Sequence, residues 1–105
     1  MTIDLKKLQK DVYRNKVEKG FNVTDIAMEF CRAHEELSEA FKKYNHNEEG
    51  VAEELADVAI FLLGMAEILG YDLEKEIAEK AEKNKKRVYE RHGGSWIRVR
   101  TQDDP

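Results

Sequence analysis

Glu36 and Glu39 lie three residues apart, and so do Glu54 and Asp57. On a helix of about 3.6 residues per turn such neighbours share one side, so each pair is able to hold a cation between two carboxylates. The second pair follows the first by 18 residues, five turns of about 3.6 residues each, which gives both pairs nearly the same phase on their own helices. Two such helices packed antiparallel bring all four acids to one edge. Carboxylates gathered at a partly shielded position repel one another, and a cation among them is the simplest relief. Oxygen donors, without His or Cys at partner spacing, favour Mg2+ or Mn2+ over Zn2+. An ion of that kind orients phosphate and lowers the pKa of a bound water. A single Glu-x-x-Glu is commonly just a solvated helix face. Two pairs in matched phase argue for a site. Glu35 and Glu53 adjoin the pairs but point more nearly away from the apolar stripes, which suits solvent, although either stays within reach of an ion through a water.

Four helices are expected to position these acids. The first runs from about Asp4 to Lys19, with Leu5, Leu8 and Val12 on one side and Gly20 after its end. The second runs from a cap at Thr24 to about Tyr44, with Ile26, Phe30, Ala33, Leu37, Ala40 and Tyr44 repeating every three or four residues. On this phase Glu36 sits about a quarter turn off the stripe centre. The third runs from about Glu48 to Leu69 and closes at Gly70, with Val51, Leu55, Val58, Leu62, Ala66 and Leu69 on its main stripe. Ile60, Phe61, Leu63 and Ile68 make its second half apolar nearly all round, so more than one neighbour should enclose it. Asp72 caps a fourth helix from about Leu73 to Arg91, with Leu73, Ile77, Ala81 and Val88 facing inward. Short loops make these helices antiparallel neighbours. The expected organisation is an all-α domain over residues 1–92 and a tail over 93–105, in which Ser95 to Thr101 form a strand-like or arm-like stretch.

The fourth helix adds polar groups on its inward side. Lys80 and Asn84 are one turn apart there, beside Leu73 and Ile77. Either they contact a phosphate and hydrogen-bond a substrate, or they form an ion pair and a buried amide that caps a neighbour. Lys83 and Arg87 are further phosphate contacts or, alternatively, solvated cations near a helix C-terminus.

Bulk properties narrow the classes of function. The chain has 105 residues, a net charge of −4 and a sequence pI near 5.4. That balance argues against a reader of nucleic-acid duplexes, which needs clustered positive surface. Cys31 is the only cysteine, so an intrachain disulfide is excluded, a Cys-based zinc site lacks ligands and a reducing cytoplasm is the expected compartment. The longest apolar run, Val58 to Leu69, is too short for the roughly 20 residues of a membrane span, and the N-terminus lacks the apolar stretch of a signal peptide. No Glu-x-x-His pair, phosphate-binding glycine loop, nucleophile elbow or EF-hand pattern occurs. A chain of this size buries a modest core, so a second copy is expected to complete it.

The ordered set Glu36-Leu-Ser-Glu39, Glu54-Leu-Ala-Asp57 and Lys80 with Asn84 and Arg87 resembles the MazG-like, all-α nucleoside triphosphate pyrophosphohydrolases. The resemblance implies an antiparallel bundle of about four helices that forms dimers or dimers of dimers. It implies that Glu36, Glu39, Glu54 and Asp57 bind Mg2+, with Mn2+ as a substitute, and that Lys80 and Asn84 contact a nucleoside triphosphate. The implied reaction is attack of water on the α-phosphorus, releasing a nucleoside monophosphate and pyrophosphate, with Glu35, Glu36 and Glu39 as candidates for the base. Alternatives within the same helical site are enzymes specialised for dUTP or phosphoribosyl-ATP. Outside catalysis, the alternatives are a nucleotide sensor and a structural helical dimer.

Overall fold

In the computed structural model, which describes residues 1–101, helix α1 (Leu5–Glu18) begins where Asp4 Oδ1 accepts the Lys7 N–H at 3.0 Å. Helix α2 (Ile26–Asn45) begins the same way, with Asp25 Oδ1 accepting the Met28 N–H at 3.1 Å. The cap is thus Asp25 and not Thr24. Asn22 fixes it there by donating to the Asp25 carbonyl and accepting from the Asp25 N–H, a local turn that competes with starting the helix earlier. Helix α3 (Val51–Leu69) starts three residues later than the periodicity suggests, because Asn47 and Gly50 both take positive φ, at 55° and 97°. Asn47 closes α2, and its conformation lets the Glu48 N–H reach the Lys43 carbonyl and its own N–H reach Tyr44. The same pair of bonds ends α1, through Gly20 and Phe21, and α3, through Gly70 and Tyr71.

These three helices form one compact unit, Met1–Leu73, in which α3 packs against both α1 and α2. Leu63, Met65 and Ala66 of α3 are buried with Ala33 and Ala40 of α2, so the second half of α3 is enclosed as its composition requires. Gly64 permits the approach of α1. A Cβ placed there would lie 3.4 Å from Lys16 and 3.5 Å from Val12. Gln9, 4% exposed, ties α1 to the end of α3 by donating to Glu67 and the Tyr71 carbonyl and accepting the Leu73 N–H.

The inner face of α2 differs from its apolar stripe. The residues shielded from solvent are Ile26, Glu29, Ala33, Glu36, Ala40 and Lys43, spaced three and four apart. Phe30, Leu37, Phe41 and Tyr44 are exposed instead, as are Leu55, Leu62 and Leu69 on α3. The expected stripe is therefore rotated outward within a single chain. Small alanines let the helices approach, and the charged members of the seam find partners: Glu29 pairs with Lys16 of α1, whose ammonium also lies 5.5 Å from the centre of the Phe61 ring.

The second unit, from Glu74 onward, contains most of helix α4 (Leu73–Lys86) and the strands β1 (Arg87–His92) and β2 (Ser95–Thr101). The fourth helix ends five residues before its expected limit at Arg91. Val88 and Tyr89 suit a strand better than a helix, and Gly93 and Gly94, with φ of 57° and 88°, supply the turn that pairs β1 antiparallel with β2. Val99 is the extra residue of a bulge opposite Val88 and Tyr89. The strand-like reading of Ser95 to Thr101 holds; its partner strand had the look of a helix end. No residue of α4 is buried, so the inward placement of Ile77 and Ala81 is not met within one chain. Among the described residues the chain is thus mostly helical, with four helices and a C-terminal hairpin.

Candidate metal centre

Glu36 projects from the shielded seam of α2, and Glu54 and Asp57 from the first two turns of α3. The antiparallel approach of the helices brings carboxylate oxygens of all three within 4.8 Å of one another. Glu36 and Glu54 are partly buried and Asp57 is exposed, so the cluster opens to solvent on the Asp57 side. Oxygen donors at this separation fit a hard divalent ion.

The electrostatics of the cluster are those of crowded like charges. Glu36 has its pKa raised above the ordinary carboxylate value, first by a hydrogen bond to Glu54, then by burial and by repulsion from Glu54, Asp57 and Glu39. Glu54 has its pKa lowered, first by the Lys43 ammonium and then by the hydrogen bond from Glu36. Lys43 Nζ stands 2.9 Å from Glu54 Oε1, and its own pKa is raised by that carboxylate. The raised affinity of Glu36 for its proton and the Lys43 ammonium held against Glu54 both act to relieve the repulsion among the three carboxylates.

Of the other residues singled out by sequence, Glu39 is exposed and outside the three-carboxylate group, although its charge is felt at Glu36. Glu35 is exposed on α2. Lys80, Lys83 and Asn84 are exposed on α4, and Arg87 opens β1 instead of continuing the helix. The Arg87 Nε is buried and makes no hydrogen bond among the described residues. Sequence reading missed Lys43, Lys16 and Glu29. The signal for Glu29 and Lys43 is present in retrospect, since they share the three-and-four spacing of Ala33, Glu36 and Ala40.

One turn beyond the acids, on the side of Arg32 and Phe61, lies a groove of about 360 Å³ lined by Lys16, Gly20, Phe21, Asn22, Arg32 and Phe61. Arg32 precedes Glu36 by four residues and Phe61 follows Asp57 by four, so groove and acids adjoin along both helices.

A family model described as the MazG-like family matches residues 23–96, a span that includes all three carboxylates and both antiparallel helices that carry them. The chain belongs to the MazG-like family. No curated protein and no solved structure matches it. MazG-like membership makes nucleoside triphosphate pyrophosphohydrolysis the activity to test, and the acidic cluster is consistent with MazG-type metal binding. Among the described residues, no helix is long and apolar enough to cross a membrane.

Proposed function

We propose that this MazG-like chain is a Mg2+-dependent nucleoside triphosphate pyrophosphohydrolase that converts an NTP or dNTP and water to the monophosphate and pyrophosphate. The observation that carries the reading is the convergence of Glu36, Glu54 and Asp57 across two helices of a MazG-like family member. Glu36, Glu54 and Asp57 are the proposed metal ligands, with Glu39 joining them as the site loads. A divalent ion held there supplies charge neutralisation, Lewis-acid polarisation of phosphate oxygens and a more acidic water. In the reaction, water oxygen bonds to the α-phosphorus as the bond from that phosphorus to the bridging oxygen breaks and pyrophosphate leaves. The water's proton passes to a carboxylate, for which Glu36, Glu39 and Glu35 are the proposed acceptors.

The adjoining groove suits the base and sugar, with the rings of Phe21 and Phe61 as apolar walls and Arg32 at the polar rim. Lys80 and Asn84, with Lys83 and Arg87, are proposed as substrate contacts. A second copy is proposed to cover Phe30, Leu37, Phe41 and Tyr44 of α2 with Leu55 and Leu62 of α3, giving a homodimer or dimer of dimers, because so much exposed apolar side chain on two neighbouring helices favours association. We place the protein in the cytoplasm, where Cys31 stays reduced. A role in cleansing nucleotide pools fits this chemistry.

The test is a panel of standard and damaged ribo- and deoxyribonucleoside triphosphates with Mg2+, resolving monophosphate, diphosphate, phosphate and pyrophosphate. Glu39→Gln and Asp57→Asn are assayed beside the unaltered chain. Monophosphate and pyrophosphate formed only by the unaltered chain support the reading. Absence of turnover by folded protein that still binds triphosphate with Mg2+ replaces it with a nucleotide sensor.

A further inference from the structure

The Lys43 side chain has a placement that the proposed reaction does not yet use. Its ammonium stands 2.9 Å from Glu54 Oε1, and its stem crosses the space beside Gly50, where a Cβ would lie 3.2 Å from Nζ. Gly50 is the residue before α3 begins, so Lys43 reaches from the last turn of α2 over the start of α3 to the acid cluster. The side chain is only one-third exposed, and its amine is directed at a carboxylate that belongs to the proposed metal-binding set.

We propose that Lys43 is an exchangeable cation: it holds Glu54 while the site is metal-free and turns to a phosphate oxygen of the substrate once a divalent ion takes over the carboxylates. The inference rests on the metal-site reading above. A divalent ion compensates the carboxylate cluster more fully than one ammonium does, and it competes for the same Glu54 oxygens. Released from Glu54, the amine remains at the mouth of the cluster on a long, flexible stem with three donors. An incoming triphosphate carries more negative charge than the metal alone neutralises, and an ammonium already at the site supplies the balance. Lys43 thereby lowers affinity for bare metal and raises affinity for metal with triphosphate. That favours loading of the two together.

The experiment titrates Mn2+ alone, and then inorganic triphosphate at saturating Mg2+, by calorimetry against the unaltered chain, Lys43→Gln and Lys43→Arg. Circular dichroism checks that each is folded. With Lys43→Gln, Mn2+ alone binds about 2- to 5-fold tighter, the scale of losing a partly exposed ion pair. In the same variant, inorganic triphosphate binds roughly 10-fold or more weakly, the scale of a lost charge-assisted contact. Lys43→Arg stays close to the unaltered chain in both titrations. Unchanged or weaker Mn2+ binding by Lys43→Gln overturns the proposal and leaves Lys43 as a prop for Glu54; unchanged triphosphate binding overturns it equally. If the unaltered chain takes up no Mn2+, the metal-site reading fails and this one falls with it, an outcome distinct from either of the others.

Discussion

Lys16 on α1 and Glu29 on α2 form an ion pair inside the three-helix unit, with the Glu29 residue only 1% exposed. The pair joins two helices whose principal packing is against α3, and so sets the position of one relative to the other. Removing one partner strands a charge away from water, whereas replacing both with apolar groups removes the cost of desolvation. Glu29→Ala should therefore destabilise the fold by about 3–5 kcal/mol in urea unfolding. The double variant Lys16→Met, Glu29→Leu should recover most of that loss. A double variant as unstable as the single one would show that the ion pair itself holds the unit together.

At the candidate metal centre, Asp57→Asn should abolish Mn2+ binding and reduce triphosphate hydrolysis by more than the roughly 10- to 100-fold typical of altering an outer-sphere partner. Metal-free stability should not fall, since the change removes one of three mutually repelling carboxylates. Retained Mn2+ affinity would remove Asp57 from the ligand set.

The pH dependence has a definite sign. The folded state raises the Glu36 pKa, so this group's contribution to stability is fully present below its unfolded value and is lost as pH rises through its folded value. Glu54 is shifted the other way: its contribution is present above its unfolded value and is lost as pH falls through its folded one. Metal-free Glu36→Gln should therefore gain stability relative to the unaltered chain as pH climbs out of the ordinary carboxylate range. Mn2+ binding to the unaltered chain should strengthen over the same range, as Glu36 gives up its proton. Thermal melts across a pH series, with and without Mn2+, measure both; a difference between the two chains that is flat with pH contradicts the first expectation.

Gln9 is buried and satisfies three polar groups at once: the Glu67 carboxylate, the Tyr71 carbonyl and the Leu73 N–H. Gln9→Ala should cost about 1–3 kcal/mol, because those partners lose a buried hydrogen bond each and water replaces it poorly. Amide exchange at Leu73 should quicken. If it does not, the side chain is not what secures the turn between α3 and α4.

The exposed stripe of α2 yields a test of assembly. Leu37, half exposed, lies between Phe30 and Tyr44 on that face. Leu37→Asp should shift sedimentation toward the monomer while leaving helix content unchanged, since the position is outside the buried core. A chain that sediments as a monomer before any substitution would refute the proposed second copy.

Much of this architecture is legible from residue order. Gly20 and Gly70 mark helix ends in the sequence as they do in the fold, and matched spacing marks Glu36, Glu39, Glu54 and Asp57, three of which, Glu36, Glu54 and Asp57, come together. The phase of α2 is harder to read. Hydrophobicity points to Phe30, Leu37 and Tyr44 as the inner face, whereas the seam is built from alanines and ion-paired groups, whose burial depends on partners far away in sequence. Lys43 is hidden for that reason: its spacing to Glu54 means nothing until the turn at Asn47 and Gly50 folds α3 back along α2. The end of α4 is hidden by a different ambiguity, because Arg87 to His92 extend a helical run in composition and become a strand only when Ser95 to Thr101 pair with them.

The seam of α2 places two demands on one set of positions. Glu29, Glu36 and Lys43 occupy places where a purely structural coiled pair would carry Leu or Ile. Variants such as Glu36→Leu would tighten helix packing and extinguish the proposed chemistry together. Under the proposed function, selection for heat resistance and selection for turnover pull on the same few residues in opposite directions, and a more robust relative of this chain has to gain its robustness elsewhere, on α1 or on the exposed apolar face of α2.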